Sequence, residues 1–179
     1  MPQSSNTPSS DDEPPPSPGE LDVDITIDSD VGEIPLDPTQ IQRAVRTAAQ
    51  HRGYHLGNIG IRITTDETIR GLNAEHLGHD YATDVISFGY GATPPVIEGE
   101  LVASIDTARH QAEQIGWPAE HELLLYIVHG VLHITEMDDH DPSDRAAMRD
   151  AETAILLTLG IDDIVRYGAD RDIGREDHR

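Results

Sequence analysis

The chain contains no cysteine and no lysine in its 179 residues. Without cysteine, disulfides and thiolate metal ligands are both excluded, so a bound metal has to be held by imidazole nitrogen and carboxylate oxygen. Without lysine, all 12 basic residues are arginines, set against 34 Asp and Glu for a formal net charge of -22. A surface of that sign favours solubility and repels nucleic acid at long range. Long apolar runs are missing too: nowhere do about 18 apolar residues follow one another, the length of a membrane-spanning helix. The opening "MPQSSNTPSSDDEPPPSPGE" has neither the basic nor the apolar region of a secretory signal. These absences lead us to expect a soluble, cytoplasmic protein.

Residues 1–20 are Pro, Ser, Asp and Glu with almost nothing apolar, a composition that buries too little surface to offset the entropy of ordering. They are expected to form a disordered tail. The last stretch, 167–179, is similarly charged and is expected to fray. The body between them, 21–166, has the length of one domain with a hydrophobic core.

What the body contains is periodic. "LDVDITID" alternates Leu21, Val23, Ile25 and Ile27 against Asp22, Asp24, Thr26 and Asp28, the mark of a half-buried strand. "LDPTQIQRAVRTAAQHRG" reads as a helix with Asp37 as N-cap, Pro38 at its first position, Ile41, Val45, Ala48 and Ala49 on one stripe, and Gly53 as terminator. "NIGIRITT" predicts a second strand, and "DETIRGLNAEHLG" a second helix closed at Gly78. "DVISFGY" and "GELVASID" read as two more strands, with "GATPPVIE" as the loop between them. Three helices follow: "DTARHQAEQIGW", "PAEHELLLYIVHGVLHI" opened by Pro118, and "SDRAAMRDAETAILLTLG" capped by Ser143 and stopped at Gly160. Strands first and helices later, without repeats, predict one α+β domain: a small mixed sheet of about four strands packed with about five helices.

The middle helix of the three is apolar nearly all round, which predicts burial and puts His129 and His133 at the end of a core helix. Four residues apart, the two imidazoles lie about 40° apart around the axis and one turn along it, so both can reach one ion. A single such histidine is as easily a hydrogen-bonded core residue; two, with His140 close behind, point to a metal. Gly130 stands where the zinc-peptidase pattern H-E-x-x-H carries its general base, so that chemistry lacks its base. The glycine leaves room for close approach at the ion or for tight packing against another element. Three N/O ligands leave a fourth position for water, the arrangement of a hydrolytic site.

The string "HGVLHITEMDDH" resembles the H-G-x-L-H-L-x-G-Y-D-H signature of the YbeY family of bacterial endoribonucleases and rRNA maturation factors. "NAEHLGHDYATDVISF" is similar to the family's asparagine-led block ending T-D-V-L-S-F, and "GELVASIDTARHQAE" to its following strand and helix, so the resemblance spans about 21–160. It implies a small mixed sheet with helices and a zinc held by three histidines. In register, the family's third histidine falls on Asp139, with His140 one place later, and its Gly-Tyr pair on Glu136-Met137. His140 is preferred as third ligand because imidazole is the commoner neutral donor, with Asp139 as the alternative. Where the family often has an aromatic residue followed by an Arg implicated in activity, this chain has His76 and Leu77.

Other residues are open to two readings. His79 and Asp80 either touch substrate or belong to a solvated loop. Thr83, Asp84 and Ser87 enter a strand, and Asp84 either orients a ligand histidine or serves as a turn residue. Arg109 is the basic candidate for phosphate contact, unless it pairs with Glu113 on its own helix, and Arg145 and Arg149 read as solvated helix charges. Asp84 and Arg109 are therefore the catalytic candidates. The resemblance implies a zinc-dependent, single-strand-specific endoribonuclease with one Zn2+ per chain, acting on rRNA precursor in late small-subunit maturation and ribosome quality control, with the small subunit or its proteins as partner. Two rivals remain: a hydrolase of a non-RNA substrate, and a ribosome-assembly or partner-binding factor with a structural zinc.

Overall fold

Alternating side chains build the first two strands of the computed structural model, β1 (Asp22–Ile27) and β2 (Leu56–Thr64). The structure describes residues 19–166, so both expected tails, apart from Gly19 and Glu20, lie outside the described residues. Between the strands runs α1 (Pro38–His51), where the Asp37 carboxylate accepts from the Gln40 N–H and the Gln40 side chain accepts from the Asp37 N–H. Each bond satisfies a backbone donor that a helix start leaves orphaned. Helix α2 (Asp66–Leu77) follows β2 and closes on Gly78 at φ 70.

β3 (Val85–Thr93) and β4 (Val96–Ser104) extend into the segment that reads as a loop, leaving only Pro94 and Pro95, joined by a cis peptide, between them. The prolines mark the turn itself, while Ala92, Thr93, Val96 and Ile97 pair across it as ordinary strand residues. The chain then runs through α3 (Ile105–Ile115), α4 (Ala119–Ile134) and α5 (Pro142–Thr158). Asp141, not Ser143, caps α5, its carboxylate accepting from the Asp144 N–H at 2.7 Å. Proline at a first helical position needs no hydrogen-bond partner, which lets the helix begin at Pro142.

Strand order is β1-β2-β4-β3, with β1, β2 and β4 parallel and β3 antiparallel to β4. This is the mixed four-stranded sheet and five-helix α+β fold expected from the pattern. One sheet face, carrying Ile59, Ile61, Ile63, Ile97 and Leu101, forms a single core with α1 and α4. On the other face α2 brings Ile69 against Ile86 and Val102, flanked by Leu72 and Phe88.

Glycines seat α4 on the sheet. A Cβ on Gly130 would stand 2.9 Å from Leu101 Cδ2 and 3.1 Å from Ser87 Oγ, and one on Gly99 would stand 2.6 Å from Ile134 Cγ2. Gly130 therefore serves close packing against β3 and β4. The Ser87 hydroxyl donates to the Gly130 carbonyl at 3.1 Å, so the last turns of α4 are held at a fixed height over edge strand β3.

Candidate metal centre

The buried stripe of α4 delivers His129 and His133 to the end of the core, where each keeps about a quarter of its side chain exposed, 22% and 29%. Their Nε2 atoms are 2.9 Å apart. The chain then reverses. Thr135 ends the helix, Glu136 takes a left-handed φ of 70, and the Glu136 and Met137 N–H groups donate back to the carbonyls of His133 and Leu132. This six-residue C-cap returns the following loop over the helix end. It places Asp139 Oδ2 3.5 Å from both Nε2 atoms.

The outer nitrogens are committed elsewhere. His133 Nδ1 faces the Met137 carbonyl at 3.0 Å, which can only accept, and His129 Nδ1 faces the Glu152 carboxylate at 2.6 Å. With each Nδ1 as the N–H donor, both Nε2 lone pairs and the Asp139 oxygen point into one small space. Three such acceptors repel one another unless a proton or a cation stands between them, and a cation relieves that repulsion for all three at once. A tetrahedral ion with metal–nitrogen bonds of about 2.0–2.1 Å keeps its donors about 3.3 Å apart, inside the observed spread. The residues therefore fit a divalent metal of N/O preference, with His129, His133 and Asp139 as the holding group.

Glu152 is the support that the sequence pattern does not announce as part of the site. Its side chain is 5% exposed; one oxygen accepts from the His129 Nδ1–H and the other is bound by Arg166, which also donates to the Arg149 carbonyl and the Thr153 hydroxyl. Burial alone would raise the Glu152 pKa, but the hydrogen bond and charge of His129, with Arg166, lower it and keep the carboxylate ionised. Burial pulls the His129 pKa down, and the Glu152 hydrogen bond and surrounding carboxylates more than reverse that. Burial and then the charge of His129 lower that of His133. A readable sign of Glu152 was present: it lies with Met148, Ala151 and Ile155 on the buried stripe of α5, a charge among apolar residues. Arg166, in a segment beyond the last helix, carries no such sign.

Two clefts meet at His129. One, of about 290 Å³, has Asp139, Glu122, Tyr126 and, from α5, Arg145 and Arg149 among its lining residues. The other, of about 360 Å³, is lined by Leu77, Val85, Ser87, Gly89 and His133. Asp84 lines both, while one of its oxygens accepts from the Val85 N–H and the Thr83 hydroxyl, so it is a turn residue and a site-lining one together. Leu77, half exposed, faces the second cleft at the place where the resemblance puts an Arg.

Some expected site residues are not brought in. The His140 side chain is 87% exposed and its Nε2 lies 3.2 Å from Asp138 Oδ1, away from the imidazole pair, because the C-cap turn aims the residue before it inward. Arg109 donates to the Glu33 carbonyl and lines neither cleft, nor is Glu113 its partner there. Asp80 is held by Arg70, and the His79 ring packs near Tyr81. His76 meets Phe88 edge-on over the other face of the sheet. Arg145 and Arg149, which read as solvated charges, line the cleft beside His129.

The model of the family described as endoribonuclease YbeY matches residues 26–160. A protein of Rhodopirellula baltica named endoribonuclease YbeY is 49% identical over 126 residues, 69% of this chain and 65% of that protein. One of the same name from Salinibacter ruber is 31% identical over 147 residues, covering 78% of this chain and 94% of its own length. The solution structure of TM1509 from Thermotoga maritima covers 86% of this chain at a TM-score of 0.50 and 17% identity, a likeness of fold. With the family model matching most of the folded body, the chain belongs to the endoribonuclease YbeY family.

Proposed function

We propose that this protein is a zinc-dependent, single-strand-specific endoribonuclease of the cytoplasm that acts on rRNA precursor during late small-subunit maturation and in ribosome quality control. The observation that carries the reading is the convergence of the His129 and His133 Nε2 atoms and Asp139 Oδ2, each imidazole oriented by its own Nδ1 partner. Family membership supports the substrate class. One ion per chain is held by His129, His133 and Asp139. When bound there, zinc supplies Lewis-acid polarisation of a phosphoryl oxygen and acidifies water.

The chain's own residues do the rest. Glu152 keeps the His129 tautomer fixed, and the Met137 carbonyl does so for His133. Asp84, at the junction of the two clefts, accepts or returns the proton of a reacting oxygen. Single strands are preferred because in-line displacement at phosphorus needs a backbone free to rotate, which a duplex restrains. The described body holds an excess of acids, so free RNA is bound weakly, and the small subunit or an associated protein presents the substrate.

The half-exposed apolar Leu77 beside the imidazoles favours one rival, an assembly factor whose zinc is structural. Chelation separates the two. Removing a structural zinc melts the fold, whereas here cleavage is expected to stop while the circular dichroism spectrum stays near native, and zinc restores activity. Loss of the folded signal on chelation would favour the rival.

A further inference from the structure

Strand β3 forms one edge of the sheet and pairs only with β4. In an antiparallel pair the residues alternate: one exchanges both backbone bonds with its partner, and the next turns its N–H and C=O to the other side. The Ser104 N–H donates to the Asp84 carbonyl at 2.9 Å, which makes Asp84 and Ser104 a bonded pair and, in register, Ile86 and Phe88 bonded residues as well. Val85, Ser87 and Gly89 therefore turn their backbone groups to the free edge. All three also line the cleft of about 360 Å³ that holds His129 and His133.

This free edge is short. At one end the Val85 N–H is taken by the Asp84 carboxylate at 2.9 Å, and at the other a bulge between Gly89 and Gly91 breaks the register. Caps and bulges blunt an edge against the addition of another strand. Here they leave open only the stretch from the Val85 carbonyl to Gly89, beside the imidazoles. Gly89 itself answers no demand of the fold. Its φ lies outside the left-handed region, and a Cβ there would meet only the Ile134 carbonyl oxygen, at an ordinary 3.8 Å. Glycine inside a strand weakens it and often marks the close approach of a ligand.

We propose that this open stretch of β3 holds the ribose side of a single RNA strand in the cleft of His129 and His133, the Val85 and Ser87 carbonyls accepting from 2′-hydroxyls. This rests on the nuclease reading above and names how that site tells RNA from DNA. A carbonyl can only accept, and the 2′-hydroxyl is the donor that ribose has and deoxyribose lacks. Outward groups recur at every second residue, about 6.5–7 Å apart, so neighbouring carbonyls face successive nucleotides of an extended strand. The bare Gly89 leaves room for the sugar next to the imidazoles. Such contacts are neutral, so they do not call on positive charge in a chain of formal charge -22.

The test uses the full chain loaded with zinc and a labelled single-stranded RNA whose cut position is read from the products. Unlabelled strands of the same sequence, each with one 2′-deoxy or 2′-fluoro nucleotide moved stepwise along it, compete for cleavage. The inhibition constant is expected to rise about three- to tenfold at one or two adjacent nucleotides near the cut and to stay flat elsewhere. The 2′-fluoro strand should lose as much as the 2′-deoxy strand, because fluorine keeps the ribose pucker but cannot donate. Gly89→Ala should keep the wild-type Tm and zinc content, raise KM severalfold and flatten that profile. Gly91→Ala, beyond the bulge with nothing within 4 Å of its Cβ, should behave as wild type. RNA that is cut with a flat 2′ profile, or a Gly89→Ala variant with wild-type KM and profile, overturns the ribose site and leaves the nuclease reading standing. A wild-type protein that neither binds nor cuts RNA overturns both.

Discussion

His129 Nδ1 stands 2.6 Å from one oxygen of Glu152, and the other oxygen of that carboxylate is bound by Arg166. A carboxylate behind a ligand histidine fixes the ring and raises its basicity as a donor. Glu152→Gln keeps an acceptor but removes the charge, and is expected to lower zinc affinity on the order of 10–100-fold in competition with a chelator. Glu152→Ala additionally strands the largely buried Arg166 cation and should cost about 3 kcal/mol in thermal or denaturant unfolding. Wild-type zinc affinity in Glu152→Gln would remove Glu152 from the site.

Asp139 and His140 compete for the role of third ligand, and geometry favours Asp139, whose Oδ2 is 3.5 Å from both Nε2 atoms. Asp139→Ala is expected to lose zinc, whereas His140→Ala, an exposed side chain paired with Asp138, should bind it within a few fold of wild type. Elemental analysis and chelator competition on the two variants check this, and a larger loss in His140→Ala would reverse the assignment.

What was legible in the sequence is what repeats. The alternation of "LDVDITID", the capping pair at Asp37, and two histidines four apart on an apolar helix each rest on local geometry, and each is found in place. What was not legible depends on where a chain goes after it leaves a regular element. Ligand chemistry alone favours His140, but the left-handed turn at Glu136 decides which residue is aimed inward. Arg109 and Arg145 are indistinguishable as letters, and only the packing of α3 and α5 separates them. Glu152 could have been found as a charge on a buried stripe, whereas Arg166 reaches it from outside any helix.

Glu136 itself carries strain. It follows the C-cap Thr135, at the left-handed position that glycine usually fills in such turns, at φ 70, and the resembling family pattern has Gly at that place. A side chain in this region costs roughly 1–2 kcal/mol, offset in part by the entropy that glycine adds to the unfolded chain. Glu136→Gly is therefore expected to stabilise the protein by about 0.5–1 kcal/mol, read as a rise in Tm, with zinc affinity unchanged. A fall in Tm would contradict the turn as described.

At the far edge of the sheet Arg62 binds both oxygens of Asp28, at 3.0 and 2.9 Å, and the Thr64 hydroxyl adds a third bond at 2.6 Å. The Arg62 hydrogen bond holds the Asp28 pKa below its usual value, against the opposing effect of burial, with Thr64 and the Arg62 charge assisting. A carboxylate with a depressed folded pKa contributes stability above its unfolded pKa of about 3.9 and loses it as pH falls through the folded value. The stability difference between wild type and Asp28→Asn should thus be about 1 kcal/mol near neutral pH, discounted for the exposure of Arg62, and shrink below about pH 4. A difference independent of pH would mean that the pair contributes nothing through its charge.

The central claim is that the three donors at the end of α4 hold the metal that cuts RNA. Its most direct measurement is the cleavage rate of matched single- and double-stranded RNA by zinc-loaded wild type and by His133→Ala, with and without assembling small subunits. Wild type is expected to cut the single strand slowly when free and faster when it is presented on the subunits, to leave the duplex intact, and to lose activity on His133→Ala together with its zinc. Equal cleavage by the two proteins under every condition would contradict the claim.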